Sequence, residues 1–178
     1  EYFPLEVQDA ILEYNRTSDF VLKSKIYEEK IHYAFFKLTE SIINTFKFHH
    51  LDIESITDFQ QELIIMLLSK IHLFHQSKNV DDRLFKIITK EFKGEYTYGA
   101  FAEFTGNADN VTQAQINEFI STLNVKKKCR EKILKITPAK AYSYFGTITK
   151  RYCIIATQNN YKKKIIRIQI LFINTYPF

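Results

Sequence analysis

Apolar positions recur at three- and four-residue steps in the first third of the chain. This spacing places them on one side of a helix, where they would form a stripe against a core. The stripe comprises Ile26, Ile31, Ala34 or Phe35, Leu38, Ile42 and Phe46. The sequence HHLDIESITD then breaks the periodicity. We therefore predict a first long helix from Lys23 to Phe48.

A second apolar stripe follows, formed by Leu63, Leu67, Ile71 and Phe74. Thr57 or Asp58 can cap a helix that carries this stripe. After Pro138, the residues from Lys140 to about Lys164 predict a third strong helix. The terminal sequence IIRIQILFI alternates apolar and polar residues, which favours a strand or an unstructured apolar tail over residues 165–178.

The segment between the second and third helices is less regular. The sequences NVDDRLFKIITKEF and TQAQINEFISTL look helical, the latter with Thr112 as its cap. Between them, KGEYTYGAFAEFTGNADN carries three of the four glycines and is typical of a loop. We predict an all-α fold in which one helical domain, residues 1–178, contains a mostly helical insertion at 76–139.

Composition restricts the class of protein. A chain of 178 residues with 46% hydrophobic content is long enough for one domain with a core. It contains no run of about 18 apolar residues, which a membrane span requires, and no secretory signal pattern is visible at its start. Its two cysteines, Cys129 and Cys153, have no CxxC spacing, which favours reduced thiols in the cytoplasm. From the missing apolar run we predict no membrane partner.

Patterns that carry catalysis are missing from the sequence. It contains neither GxxxxGK[ST] nor GxGxxG, and the histidine pairs His49–His50 and His72–His75 have no accompanying Cys or carboxylate set of recognisable spacing. We therefore predict no enzyme, no metal and no cofactor.

Charge is distributed unevenly along the chain. Residues 126–178 hold 13 Lys or Arg against one Asp or Glu, whereas residues 1–125 hold 12 against 19. Such a basic block is typical of a surface that binds nucleic-acid phosphates or an anionic membrane. The alternative is an ordinary solvated helix face, although such faces usually mix both signs.

The sequence KAYSYFGTITKRY, residues 140–152, places aromatic rings beside cations. Exposed rings can stack on unpaired bases while Lys and Arg neutralise phosphates, which is what separation of DNA strands requires. On a helix, Tyr144, Phe145, Ile148 and Tyr152 lie on or near one side. The alternative is that Phe145, Ile148 and Tyr152 form the buried stripe of that helix.

Four segments then resemble a known family. TESIINTFKF, DFQQELIIMLLSKIHLF, KAYSYFGTITKRY and NNYKKK follow the order of region 2 of bacterial-type sigma factors, and look most like the late-transcription sigma factors of T-even-like bacteriophages. The resemblance implies a transcription initiation factor in the cytoplasm of a bacterial host cell. Such a factor docks on the clamp helices of the largest subunit of core RNA polymerase, and recognises and melts an A/T-rich promoter element.

The resemblance also implies roles for individual residues. The polymerase-binding helix would present Asp58, Gln61, Glu62, Leu63 and Ile65. The DNA-binding residues would be Tyr142, Ser143, Tyr144, Phe145, Thr147, Thr149, Lys150, Arg151, Lys162, Lys163 and Lys164, with the rings of Tyr142, Tyr144 and Phe145 capturing bases.

The chain departs from the family pattern in two places. A few residues join the two functional helices in the family, whereas here the 76–139 segment separates them. Related phage factors end in a short apolar and acidic peptide that binds a sliding clamp. This chain ends in apolar residues without an acid, and the candidate anchors are Leu171, Phe172, Tyr176 and Phe178.

Two other functions remain open at this point. The chain could be a region-2-like module that binds polymerase or nucleic acid and modulates transcription without initiating it. It could also be a basic helical protein that binds nucleic acid or a membrane surface and has no relation to polymerase.

Overall fold

Helices account for all regular secondary structure in the computed structural model, which describes residues 2–47 and 55–175; for residues 164 and 167–175 it describes only the backbone. The helices are α1 (Leu5–Arg16), α2 (Phe20–Ile26), α3 (His32–Thr45), α4 (Ile56–Lys70), α5 (Gln76–Phe85), α6 (Ala100–Phe104), α7 (Gln113–Thr122), α8 (Lys127–Ile133) and α9 (Ala141–Thr175). A π-helical turn, Tyr27–Ile31, joins α2 to α3, and another, Lys86–Glu91, extends α5. The all-α prediction is confirmed.

The first predicted helix is present, but it begins earlier than its apolar stripe suggests. The Asp19 carboxylate accepts hydrogen bonds from the amides of Val21 (2.9 Å) and Leu22 (3.3 Å), so it caps α2 and starts the helix at Phe20. The helix ends at Thr45, and the predicted end at Phe48 lies outside the described residues.

The predicted caps of the other helices have mixed outcomes. Thr112 caps α7 as predicted, within a capping box that it forms with Gln115. The cap of α4 is Ser55, whose hydroxyl accepts a hydrogen bond from the amide of Asp58 at 3.0 Å. The assignment of this cap to Thr57 or Asp58 was therefore wrong by two or three residues.

The glycine-rich segment that predicts a loop contains the short helix α6. Its first turn is capped by the side chain of Asp81 in α5, whose carboxylate accepts hydrogen bonds from the amides of Gly99 (2.6 Å) and Phe101 (3.0 Å). Gly99 takes the left-handed conformation at the start of this turn, with φ of 92°. The cap lies 18 residues upstream of Gly99, so the local sequence does not reveal it.

The prediction of a strand or unstructured tail after residue 164 is wrong, because the backbone of α9 remains helical to Thr175. A strand needs a partner for its backbone hydrogen bonds, and residues 2–47 and 55–175 contain no strand. A helix satisfies these groups within itself.

Two separate clusters of apolar side chains are buried. The first joins α1, α3, α4 and the start of α9, and includes Phe35, Leu38, Leu63, Leu67 and Phe145. The second lies wholly within residues 80–136 and includes Leu84, Phe101, Ile116, Ile120 and Ile133. The 76–139 segment therefore contains its own cluster, while the helices on either side of it share the other.

The buried side chain of Gln76 links the two ends of this segment. Its Nε2 donates to the carbonyl of Ala139 (2.8 Å), and its Oε1 accepts from the amide of Val111 (2.9 Å). Nearby, Arg16 of α1 binds both carboxylate oxygens of Asp109, at 2.5 and 2.7 Å. These contacts attach the second cluster to α1 and to the chain that enters α9.

Candidate nucleic-acid interface

Phe145 fixes the orientation of α9 on the first cluster. Its ring is fully buried, with its centroid 5.1 Å from that of Phe35 and 5.8 Å from that of Phe74. One turn later, the buried hydroxyl of Thr149 donates to the carbonyl of Phe145 at 2.9 Å. The assignment of Phe145 and Thr149 to DNA contact is therefore wrong for this conformation, because neither side chain reaches the surface.

Tyr144 also belongs to the packed side of α9. Its ring lies 5.4 Å from Phe74 and 5.1 Å from Phe145, and its hydroxyl donates to the carbonyl of Leu73 at 3.4 Å. Burial raises the pKa of Tyr144, and the negative charge of Asp82 adds to this effect. Stacking of this ring on a base would require it to leave these neighbours, which argues against the predicted role in base capture.

Tyr152 connects α9 to the predicted polymerase-binding helix. Its hydroxyl donates a hydrogen bond to Oε1 of Glu62 in α4. This hydrogen bond is the largest of the effects that raise the pKa of Tyr152 to about 12. The alternative interpretation of the aromatic stretch is thus the correct one for Phe145, Ile148 and Tyr152, which pack on the first cluster.

The opposite face of α9 is exposed and carries polar and basic side chains. Helical register places together Ser143, Thr147, Lys150, Arg151 and Lys162, all of which are exposed. We call this set, with Ile154 and Tyr161, the basic face. Arg151 and Lys162 are eleven positions apart, which is about three turns or 16 Å along the helix.

Two members of the basic face have neighbours within the chain. Lys150 Nζ lies 4.8 Å from the centroid of the Phe46 ring, a cation–π contact. The Thr147 hydroxyl donates to the carbonyl of Ser143 at 2.8 Å.

The remaining predicted cations lie elsewhere. Lys163 is exposed, but it is turned about a third of the way around the helix from Arg151. The backbone of Lys164 is helical, and its side chain is outside the described part of the chain.

Sequence reasoning missed two members of the basic face, Ile154 and Tyr161. Tyr161 is 67% exposed and Ile154 is 49% exposed. Their position could have been found by extending the register of Lys150 along the helix, since Tyr161 follows Lys150 by eleven residues. Among described side chains, Ala156 is the last residue of α9 that packs on the first cluster. Tyr161 and Lys162 follow Ala156 in the helix, and the first cluster does not cover them.

Tyr142 lies at the edge of the packed region. It is 47% exposed, and its ring makes edge contacts with Tyr2 (6.2 Å between centroids) and Phe3 (5.8 Å). The hydrogen bond that the Tyr142 hydroxyl donates to the Tyr2 hydroxyl is the main effect that raises the pKa of Tyr142. Of the three rings predicted to capture bases, Tyr142 is the most accessible.

The predicted polymerase-binding residues include both exposed and buried side chains. Asp58, Gln61, Glu62 and Ile65 are exposed on α4, whereas Leu63 is fully buried in the first cluster. The assignment of Leu63 to a docking surface is therefore wrong, since its side chain packs inside the domain. Of the four exposed residues, Ile65 is the apolar one, and it is 66% exposed.

The remaining predicted site residues either lie outside the described part of the chain or have another role in the structure. His49 and His50 are outside them, as are Tyr176 and Phe178 and the side chains of Leu171 and Phe172. His75 caps α5 by accepting a hydrogen bond from the amide of Lys78 at 3.3 Å. In the described part of the chain, no group of His, Cys, Asp and Glu is arranged to hold a metal ion.

The same described residues include no helix with the length and apolar content that crossing a membrane requires.

Comparison with known proteins gives no family: no family model, curated protein or solved structure matches this chain.

Proposed function

We propose that this protein binds nucleic acid through the basic face of α9. The observation that carries the proposal is that Lys150 with Arg151, and Tyr161 with Lys162, recur on one exposed side of one helix. Cations spread over about three turns of one helix can neutralise several backbone phosphates, and each released counterion adds affinity. No Asp or Glu occurs after Glu131, so α9 has no carboxylate of its own to oppose this binding.

The exposed tyrosines suit contacts with unpaired bases. A ring in water gains more from stacking on a base than a buried ring, which must first break its packing. Tyr161 on the basic face and Tyr142 at the start of the helix are exposed, whereas Phe145 is not. Base contacts are therefore assigned to Tyr161 and Tyr142, and the role of Phe145 is to hold the helix in place.

The test is binding of a fluorescein-labelled DNA duplex, followed by anisotropy at low salt. The double variant Arg151→Gln/Lys162→Gln is expected to bind at least about tenfold more weakly, since it removes two phosphate contacts. The matched control, Lys25→Gln/Lys78→Gln, removes the same charge from exposed positions on α2 and α5. Equal losses in both variants would show that net charge, and not the basic face, determines binding.

A second and more specific candidate is the sigma-like initiation factor. The observation that favours it is that α3, α4 and α9, which carry the resemblance, share one core and leave Asp58, Gln61 and Glu62 exposed on α4. In this role α4 would dock on the clamp helices of core RNA polymerase, and α9 would recognise and melt an A/T-rich promoter element. A module that binds polymerase without initiating transcription would use the same α4 surface.

Core polymerase separates these candidates. Co-purification with core polymerase that is lost in Asp58→Lys, but kept in Lys70→Gln, would support docking through α4. Asp58 suits this test better than Glu62, because Glu62 also holds Tyr152 and its replacement would disturb α9. Promoter-dependent transcription by the reconstituted complex would then distinguish an initiation factor from a modulator. Retention of polymerase by Asp58→Lys would contradict this docking surface.

A further inference from the structure

A cavity of about 590 Å³ lies where the N-terminal segment meets the start of α9. Its walls combine two kinds of chemistry. Three aromatic rings, those of Tyr2, Phe3 and Tyr142, line it together with Leu5, while Gln8 and Lys140 supply polar groups. Cavities that bind small molecules have volumes of about 300–1,000 Å³ and this mixture of apolar walls and few polar groups.

The aromatic wall is suited to a flat ligand. Tyr142 makes T-shaped contacts with Tyr2 and Phe3, with interplanar angles of 65° and 66°. In such contacts the edge of one ring meets the face of the other, and Tyr142 remains 47% exposed. Phe3 is 7% exposed and belongs to the first cluster, so the wall that supports Tyr142 is fixed by the core.

The polar side of the cavity is suited to an anion. Lys140 is exposed at the start of α9, and the described residues that line the cavity include no Asp or Glu. The first amides of a helix have no carbonyl partner within it, and the helix dipole favours negative charge there. The amide of Ala141 donates to Gln8 Oε1 at 2.8 Å, which fixes the end of α9 against α1, and the amide of Tyr144 donates to the carbonyl of Lys140 at 3.0 Å. The amides of Tyr142 and Ser143 are the ones in the first turn that remain for a ligand.

One class of ligand uses both sides of this cavity. Inorganic phosphate would leave the rings unused, and an apolar ring would leave Lys140 unused. A planar base that carries a phosphate satisfies both. We propose that this cavity binds a free mononucleotide, with its base against Tyr142 and its phosphate at Lys140 and the first turn of α9.

This proposal goes beyond nucleic-acid binding by the basic face and does not depend on it. The cavity contains none of the residues that define the basic face, and it is closed on one side by the N-terminal segment. It shares with the proposed DNA contacts only Tyr142.

The test is titration of the full chain with AMP by isothermal calorimetry, with adenosine and inorganic phosphate as separate ligands. Saturable binding of AMP is expected, with affinity at least about tenfold above that of either part alone, because the two parts use different walls. The variants Tyr142→Leu and Lys140→Gln should each weaken AMP binding by about tenfold. Tyr142→Leu should lose discrimination between AMP and phosphate, and Lys140→Gln discrimination between AMP and adenosine.

The control variants are Tyr33→Leu and Lys25→Gln, which change an exposed tyrosine and an exposed lysine outside the cavity. Circular dichroism establishes that each variant is folded; if Tyr142→Leu unfolds, Tyr142→Phe, which keeps the ring, should bind AMP normally. Absence of saturable AMP binding by the parent, or equal weakening by a control and its matched variant, would overturn the proposal. Duplex binding by the parent is measured in parallel. A parent that binds duplex but not AMP counts against the cavity alone, and a parent that binds AMP but not duplex counts against the basic face alone.

Discussion

The hydroxyl of Tyr152 in α9 donates a hydrogen bond to the carboxylate of Glu62 in α4. This contact joins the helix that carries the basic face to the helix that presents Asp58, Gln61 and Ile65. This hydrogen bond near the surface, together with the buried packing of Phe145, therefore fixes the position of the basic face relative to the exposed residues of α4.

The Tyr152–Glu62 contact should make stability depend on alkaline pH. The pKa of Tyr152 is raised to about 12 from an ordinary value of 10, so the protonated hydroxyl is favoured in the folded state. Its contribution is present below pH 10 and is lost as pH rises toward 12. Tyr152→Phe should lower the free energy of unfolding by about 1 kcal/mol at pH 7. In urea unfolding, the difference between parent and variant should shrink between pH 10 and 12. A difference that does not change with pH would mean that the ring packing of Tyr152 matters and its hydroxyl does not.

Removal of the Phe145 ring should destabilise the domain. The ring is fully buried against Phe35 and Phe74. Phe145→Ala is expected to lower the free energy of unfolding by about 3–5 kcal/mol, the usual cost of such a cavity. Tyr161→Ala, an exposed aromatic on the same helix, should change it by less than about 0.5 kcal/mol. Urea unfolding followed by circular dichroism measures both. Equal stability of the two variants would contradict the buried position of Phe145.

Asp81 should control the order of the segment around α6. Its buried carboxylate accepts from the Tyr96 hydroxyl (2.6 Å) as well as from the amides of Gly99 and Phe101. Asp81→Ala should leave the Tyr96 hydroxyl and the Gly99 amide without this partner, and the Phe101 amide with only its 3.3 Å hydrogen bond to the Tyr96 hydroxyl. The second cluster should lose about 1–3 kcal/mol of stability. The amide of Phe101 should then exchange its hydrogen faster, as measured by native-state hydrogen exchange.

The neighbouring carboxylate provides the control for that experiment. Asp82 is exposed and accepts a hydrogen bond from the Tyr98 hydroxyl. Asp82→Ala should leave exchange at Phe101 nearly unchanged. Unchanged exchange in Asp81→Ala would contradict the capping role of Asp81.

Features that depend on adjacent residues could be predicted from the sequence, and those that depend on distant residues could not. Thr112 directly precedes α7, and its prediction as the cap is confirmed. The first turn of α6 is capped by Asp81, 18 residues before Gly99, so the local sequence favoured a loop there. Period-two alternation from Ile165 favoured a strand or an unstructured apolar tail, but a strand requires a partner that a single segment cannot supply.

The candidate site shows the same limit. Helical spacing correctly grouped Phe145, Ile148 and Tyr152 on one side of α9, because register is a local property. Which side faces the core depends on Phe35 and Phe74, which are distant in sequence. Sequence reasoning alone therefore assigns the ring of Phe145 to DNA contact, although the fold uses this ring for packing.

Salt dependence of duplex binding tests the central claim most directly. The logarithm of the association constant should fall linearly with the logarithm of salt concentration, and Arg151→Gln/Lys162→Gln should reduce the magnitude of the slope by about 1.8, or about 0.9 for each lost phosphate contact. Lys25→Gln/Lys78→Gln should leave the slope unchanged. A slope that is the same in the parent and in Arg151→Gln/Lys162→Gln would show that the basic face of α9 does not contact the DNA backbone.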